Sequence, residues 1–267
     1  MSQAIVESIT PPSFPLLPLE FGRVMLEAST LPAASLLLRG APKGDGHPVL
    51  VCPPFMASDG STSPLRQFLS KKNYSVHGWN LGRNLGPQVA GENSEFLLER
   101  LSDLYDKSKR KVTLIGWSLG GVLARELAKT VPGKIRQVIT LGSPISGRLG
   151  GVTGNIRSLF SFVSGYGPEH PELNQALAKL HRPPEGVPST AIYSKTDGIV
   201  AWRSCLEPAS DFTDNIEVHG SHCGLGVNAS VFFAVADRLA APEGDWRPFD
   251  RKAAVWRRTL FPSSGHD

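Results

Sequence analysis

The chain has 267 residues, 40% of them hydrophobic and 19% charged, which is enough for one large α/β domain with a well-buried core. Its net charge of +4 comes from 28 Lys and Arg against 24 Asp and Glu, scattered except at "KSKRK" (107–111) and "RKAAVWRR" (251–258). Nucleic acid is therefore not an expected partner, since a basic footprint is clustered and comes with a matching motif, and no uninterrupted apolar run reaches the length of a membrane span.

The first twenty residues have no basic stretch ahead of their apolar ones and carry Glu7 and several prolines, so they do not read as a secretory signal. With only three cysteines, Cys52, Cys205 and Cys223, the expected location is a reducing cytoplasm. Those cysteines form neither a C-x-x-C pair nor a Cys/His cluster, so neither a metal nor another cofactor is expected. Residues 21–38, "FGRVMLEASTLPAASLLL", are greasy enough to lie against something. Packing on the domain's own core is expected ahead of a membrane surface, because Pro32 interrupts any long amphipathic face.

From residue 48 onward, short apolar runs alternate with segments of helical spacing. The runs are "PVLVC" (48–52), "YSVHGW" (74–79), "VTLIGW" (112–117), "QVITLG" (137–142), "TAIYSK" (190–195) and "NIEVHG" (215–220). Between and after them "SPLRQFLSKK", "SEFLLERLSDLYDK", "VLARELAKT" and "ASVFFAVADRLA" place apolar residues three and four apart. "KSKRK" then reads as cations finishing a helix. This alternation predicts an α/β fold with a mostly parallel sheet flanked by helices. The rhythm breaks between Ile145 and Pro188, where "NIRSLFSFVSGY" and "PELNQALAKL" suggest a small helical cap inserted into a core formed by residues 1–144 and 189–267.

The chemistry centres on "GWSLGG" (116–121). A bare G-x-S-x-G arises by chance in chains of this length with a frequency of about 0.1 to 0.2, so its flanks carry the meaning. A strand ending at Trp117 and a helix starting near Leu119 force Ser118 into a sharp turn above the sheet, and Gly116 and Gly120 must lack side chains for that turn to close. A serine hydroxyl needs a base, and the base a carboxylate to fix its tautomer. Asp197 in "YSKTDGIV" and His222 in "VHGSHCGLG" lie just past strands 190–195 and 215–220. Asp211 and Asp214 precede a strand, His77 and His219 fall inside strands, and His47, His170, His181 and His266 lie in loops, the cap or the tail, which makes them weaker rivals. Asp197 can also be read as a plain turn residue in "KTDG".

On "GWSLGG", followed in chain order by "SKTDGIV" and "GSHCGLG", the sequence resembles the α/β-hydrolase family, most closely its bacterial lipase and esterase members. "PPFMASDGSTSPLRQFLSKKNYSVHGWNLGRN" and "TLGSPISG" add to a likeness that covers roughly residues 45–240. The resemblance implies an α/β-hydrolase fold and a catalytic triad of Ser118, Asp197 and His222. It also implies an oxyanion hole built from backbone N–H groups. Leu119 supplies one donor. The second falls on Phe55, with Met56 as the substitute, because "PPF" departs from the family's glycine-containing pattern and Pro54 has no N–H.

The implied substrate is a small or lipid-like carboxylic ester with an apolar acyl chain; the apolar residues Phe55 and Met56 and, in the cap, Leu149, Val152, Ile156, Leu159, Phe160, Phe162 and Val163 offer surface for an acyl pocket, and packing within the cap accounts equally well for most of the cap residues. The same triad also serves acyltransferases and hydrolases of amides, thioesters or carbon–carbon bonds, and a hydrolase fold can persist as a binding module. Cys205 and Cys223 sit on the loops carrying the acid and the base, so both a bridge and two free thiols fit the spacing; a reducing compartment favours the thiols.

Overall fold

All six apolar runs become strands of one sheet: β1 (Pro48–Cys52), β2 (Ser75–Gly78), β3 (Val112–Trp117), β4 (Ile135–Leu141), β5 (Ser189–Tyr193) and β6 (Thr213–Glu217). The computed structural model describes residues 12–13, 16–91, 94–146 and 182–264. Every strand pair is parallel, in the order β2-β1-β3-β4-β5-β6. β1, β3, β4 and β5 are buried at every position, as expected for parallel strands covered on both faces, whereas the edge strand β2 is partly exposed.

The helices are α1 (Leu16–Thr30), α2 (Ser35–Arg39), α3 (Ser63–Lys71), α4 (Pro87–Ala90), α5 (Glu95–Ser108), α6 (Leu119–Thr130), α7 (Ala229–Leu239) and α8 (Val255–Leu260). Because side chains alternate along a strand, the sheet divides the interior into two cores. Val49, Val51, Ile115 and Ile139 face Leu65 and Leu69 of α3 and Phe232 and Val235 of α7. Leu50, Cys52, Leu114 and Val138 face Leu97 and Leu101 of α5 and Leu123 and Leu127 of α6. A fully buried ion pair adds a polar tie: Arg125 of α6 donates from Nε and Nη2 to the two carboxylate oxygens of Glu207, both at 2.7 Å, and Ser189 Oγ donates to Oε1 at 2.6 Å.

The strand order reverses between β1 and β3: β2 lies on one side of β1, and all later strands extend on the other. The carboxyl ends at such a switch point form the crevice where open α/β sheets bind ligands. Cys52 of β1, Gly116 of β3, and Trp117 paired with Leu141 of β4 stand at that edge.

Two expectations need correction. β6 begins at Thr213 and ends at Glu217 because its register is tied to β5, from Ser189↔Thr213 to Tyr193↔Glu217. Asp214 therefore lies inside the strand, and His219 lies past it, exposed. The second concerns residues 21–38. Leu31, Leu37 and Leu38 do pack on the core, but Phe21 and Met25 of α1 are 78% and 73% exposed, and Leu26 and Leu36 are exposed too. Helix α1 turns its charged residues inward instead, with Glu20, Arg23 and Glu27 on one face three and four residues apart. The predicted cap helices, with the seven cap residues from Leu149 to Val163, lie outside the described residues, as do His170, His181 and His266.

Candidate active site

The turn between β3 and α6 has the shape the glycine spacing demands. Ser118 adopts φ 52° and ψ −120°, a conformation that strains any residue with a Cβ. Its N–H donates to Leu141 O at 2.8 Å, and its carbonyl accepts from Gly121 N at 3.0 Å. A Cβ on Gly116 would stand 2.3 Å from Gly121 Cα, and one on Gly120 would stand 2.5 Å from the carbonyl oxygens of both Cys52 and Pro53. The glycines let the elbow close and let the loop after β1 lie against it. Gly121, which sequence reasoning passed over, is equally constrained: a Cβ there would run into Ser143 Oγ at 2.0 Å.

The structure brings Asp197 and His222 together. Asp197 lies just past β5; its Oδ1 accepts from Ile199 N at 2.8 Å and Val200 N at 2.7 Å, and its Oδ2 bonds His222 Nδ1 at 2.7 Å. Both residues are buried. Ser118 is linked to this pair through its neighbours. Trp117 Nε1 donates to His222 O at 3.2 Å. A Cβ at Gly142, the residue after Leu141, would lie 3.2 Å from His222 Nδ1 and 3.3 Å from Asp197 Oδ2. Burial alone would depress the imidazole; the Asp197 carboxylate outweighs it by charge and hydrogen bond, Glu20 adds to it, and the His222 pKa stands above its ordinary value.

Leu119, Phe55 and Met56, the residues expected to donate to an oxyanion, are placed differently. Leu119 opens α6, so its N–H is one that a helix's first turn leaves without an intrahelical acceptor. Phe55 lies on the loop that packs against Gly120. The substitute, Met56, is removed: its N–H is already committed to Asn84 O at 2.8 Å.

The rivals are placed elsewhere. Asp214 accepts from Phe249 N and Asn215 N near the start of β6, the opposite end of the sheet from the elbow. His77 bonds Ser75 Oγ on the edge strand. His47, read as a loop residue, is fully buried: Nδ1 bonds Asp45 Oδ1 at 2.5 Å and Nε2 bonds Thr113 Oγ1 at 3.0 Å, at the amino end of β3.

Cys52, Cys205 and Cys223 are free thiols, so the bridge between Cys205 and Cys223 does not form. Burial, reinforced by the Asp59 carboxylate, pushes Cys52 up to about 12, and burial together with Glu20 pushes Cys223 up to about 11. Cys205 is raised as well, by burial first and Asp197 second. Thiols so raised stay protonated and are poor nucleophiles. Among the described residues no cluster of three or more His, Cys, Asp and Glu is arranged to hold a metal, and no helix is long and apolar enough to cross a membrane.

The support around the pair is what sequence reasoning missed. Ser194 Oγ and Thr196 Oγ1 both donate to Gly220 O, at 2.6 and 3.0 Å, tying the acid loop to the base loop. From α1, Arg23 donates to Thr196 O and Oγ1, Glu20 accepts from Gly198, His222 and Cys223, and Glu27 accepts from Ser221. Serine and threonine in "YSKTDG" were the one available signal, as residues that bond nearby backbone.

Comparison with known proteins follows this geometry. The profile described as "Alpha/beta hydrolase family" matches residues 74–267. No curated protein sequence matches the chain. Among solved structures, Aspergillus fumigatus lipase B is similar with a TM-score of 0.56 at 18% identity, over 76% of this chain and 54% of its own. Bacillus licheniformis lipase BlEst2 in its propeptide form gives 0.55 at 16%, over 78% and 53%. The pyrethroid hydrolase PytH gives 0.51 at 16%, over 74% and 98%. The chain thus spans about half the length of the two lipases, and at these identities the likeness is one of fold. By the profile match and the six-stranded parallel sheet together, the chain belongs to the alpha/beta hydrolase family.

Proposed function

We propose that the protein is a serine hydrolase of carboxylic esters with apolar acyl groups, with Ser118 as nucleophile, His222 as base and Asp197 as its orienting acid. The observation that carries this reading is the 2.7 Å bond from His222 Nδ1 to Asp197 Oδ2, beside the sheet end where Ser118 is held strained. With Nδ1–H engaged by the carboxylate, Nε2 carries the lone pair that accepts the serine proton. Ser118 Oγ then adds to the acyl carbonyl, and the developing oxyanion is received by Leu119 N–H and Phe55 N–H. The imidazolium returns its proton to the departing alkoxide. Water, deprotonated by the same imidazole, cleaves the acyl-serine. This chemistry calls on no cofactor.

Several features support the ester class. Phe55 and Met56 stand on the loop packed against the elbow and supply apolar surface there. Two of the similar structures are lipases and a third is a pyrethroid hydrolase. The three free thiols suit a reducing compartment, which supports a cytoplasmic place of action. The test is hydrolysis of aryl esters of graded acyl length by the wild type and by Ser118→Ala. Wild-type turnover rising from acetate to longer acyl groups, lost in the variant, supports the reading. No turnover of any ester, or turnover retained by Ser118→Ala, overturns it.

A further inference from the structure

Helix α1 reaches the active-site loops with charged side chains, and one of them is buried against both loops at once. Glu20 is 1% exposed. Its Oε1 accepts from Gly198 N at 2.8 Å and from His222 N at 3.1 Å, and its Oε2 accepts from Cys223 N at 2.8 Å. One carboxylate therefore joins the residue after the acid to the backbone of the base and of the residue following it. Burying a carboxylate is costly unless its lone pairs are met, and here they are met by backbone N–H groups of those two loops.

The loops are shaped for this approach. A Cβ on Gly198 would stand 2.7 Å from Leu16 C and 2.8 Å from Glu20 Oε1, and one on Gly224 would stand 2.2 Å from Glu27 Oε2. Gly198 and Gly224 are thus small where α1 comes down on them. Arg23, bound to Thr196, and Glu27, bound to Ser221 N at 2.7 Å and Asn228 Nδ2 at 3.1 Å, hold the helix on either side of Glu20.

We propose that Glu20 is a positioning residue of the active site, clamping the Asp197 loop onto the His222 loop from a helix some 200 residues away in sequence. The proposal rests on the triad reading above. Its electrostatic consequence follows from what faces His222. Asp197 stands at its ring, Glu20 lies at its backbone and Glu27 at the preceding residue, both from α1. Arg23, 3.8 Å from Glu20 Oε1, is the nearby cation of α1, Cys223 and Cys205 are raised and protonated, and from the elbow the uncharged Trp117 donates to the His222 carbonyl. Two carboxylates thus favour the imidazolium, and Glu20 accounts for part of the upward shift of His222.

The experiment is the pH profile of kcat/KM for an aryl ester in wild type, Glu20→Gln, Glu20→Asp and Ser118→Ala, with circular dichroism of each. Glu20→Gln keeps the shape but loses the charge and an acceptor for Cys223 N. Its expected result is a folded protein with kcat lowered about tenfold to a hundredfold, as for a catalytic group displaced by a fraction of an ångström to an ångström, KM little changed, and the acid-limb midpoint moved to lower pH. Glu20→Asp, which keeps the charge, recovers the midpoint. Three results overturn the proposal: a wild-type profile in Glu20→Gln, a rate loss with an unmoved midpoint, or loss of the fold, which would make Glu20 a stability element. Ser118→Ala separates the two readings. If it retains activity, the triad assignment fails; if it is inactive while Glu20→Gln matches wild type, only the role of Glu20 does.

Discussion

Two histidine–aspartate pairs lie toward opposite ends of β3. At its amino end Thr113, His47 and Asp45 are joined by contacts of 3.0 and 2.5 Å; past its carboxyl end comes Ser118, whose neighbour Trp117 donates from Nε1 to the carbonyl of His222, and His222 bonds Asp197 at 2.7 Å. The residue types match and the surroundings do not. Asp45 also receives Arg110 Nη2 at 2.7 Å and Arg136 Nη1 at 2.8 Å. Burial works against its charge, but the bonds from Arg136 and His47 hold its pKa well below the ordinary carboxylate range. Burial pushes His47 down to about 4, the bond to Asp45 opposes this, and the Arg136 charge works with burial. Around His222 the Asp197 carboxylate first, by charge and hydrogen bond, and then Glu20 outweigh burial and shift it up, whereas around His47 the charges of Arg136 and Arg110 work with burial. Thr113 is fully buried in β3, next to the register shift between Val112 and Thr113, whereas Ser118, 5% exposed, is held on a strained turn at the carboxyl edge of the sheet.

Matched substitutions break the comparison most severely. Ser118→Ala is expected to lower kcat/KM by at least about a hundredfold, leaving what the oxyanion hole and binding supply, with the fold intact because no core volume is lost. Thr113→Val, the counterpart, leaves ester hydrolysis unchanged. It costs about 1 to 3 kcal/mol in urea unfolding by depriving a buried imidazole of its partner. Next in size, Asp197→Asn should reduce kcat by up to about 10⁴-fold, by favouring the wrong tautomer of His222.

pH sharpens the contrast. His222 must be neutral to act, and its pKa is raised, so kcat/KM should fall as pH drops through a single ionisation lying above the ordinary value of about 6.5. His47 should stay neutral down to about 4 by NMR titration. Because the unfolded state takes up that proton first, the His47 contribution to stability is complete above about pH 6.5 and declines as pH falls toward 4. A midpoint for activity near 4 would assign the base to the other pair. The smallest effect belongs to His219→Ala: the side chain is exposed, and neither activity nor stability should change. Loss of activity there with retention in His222→Ala would reverse the choice of base.

The parts of the molecule differ in how far they can be read from residues alone. The sheet was legible because parallel strands covered on both faces must be continuous apolar runs, and "PVLVC" and "VTLIGW" become β1 and β3 at the predicted bounds. The elbow was legible because its backbone geometry requires glycines at fixed offsets from the serine. Helix α1 was not: its apolar residues suggested core packing, and its charged face bonds backbone N–H groups, which carry no residue signature, across separations of 178 to 203 positions. The His47 array was hidden for a related reason, since Thr113 and Arg136 approach Asp45 and His47 only through the register of β3 and β4. In "KTDG" the residues read as a plain turn, and the small size of Gly198 there, like that of Gly224, also serves the approach of Glu20 and Glu27.

On this reading Ser118, and no other hydroxyl, is activated by a histidine. This is tested most directly by treating the folded protein with a fluorophosphonate and locating the adduct by peptide mass spectrometry at pH 5 and pH 8. A single adduct on Ser118 is expected, formed faster at pH 8 and absent in His222→Ala. An adduct on any other residue, or a wild-type protein that stays unlabelled at both pH values, would contradict it.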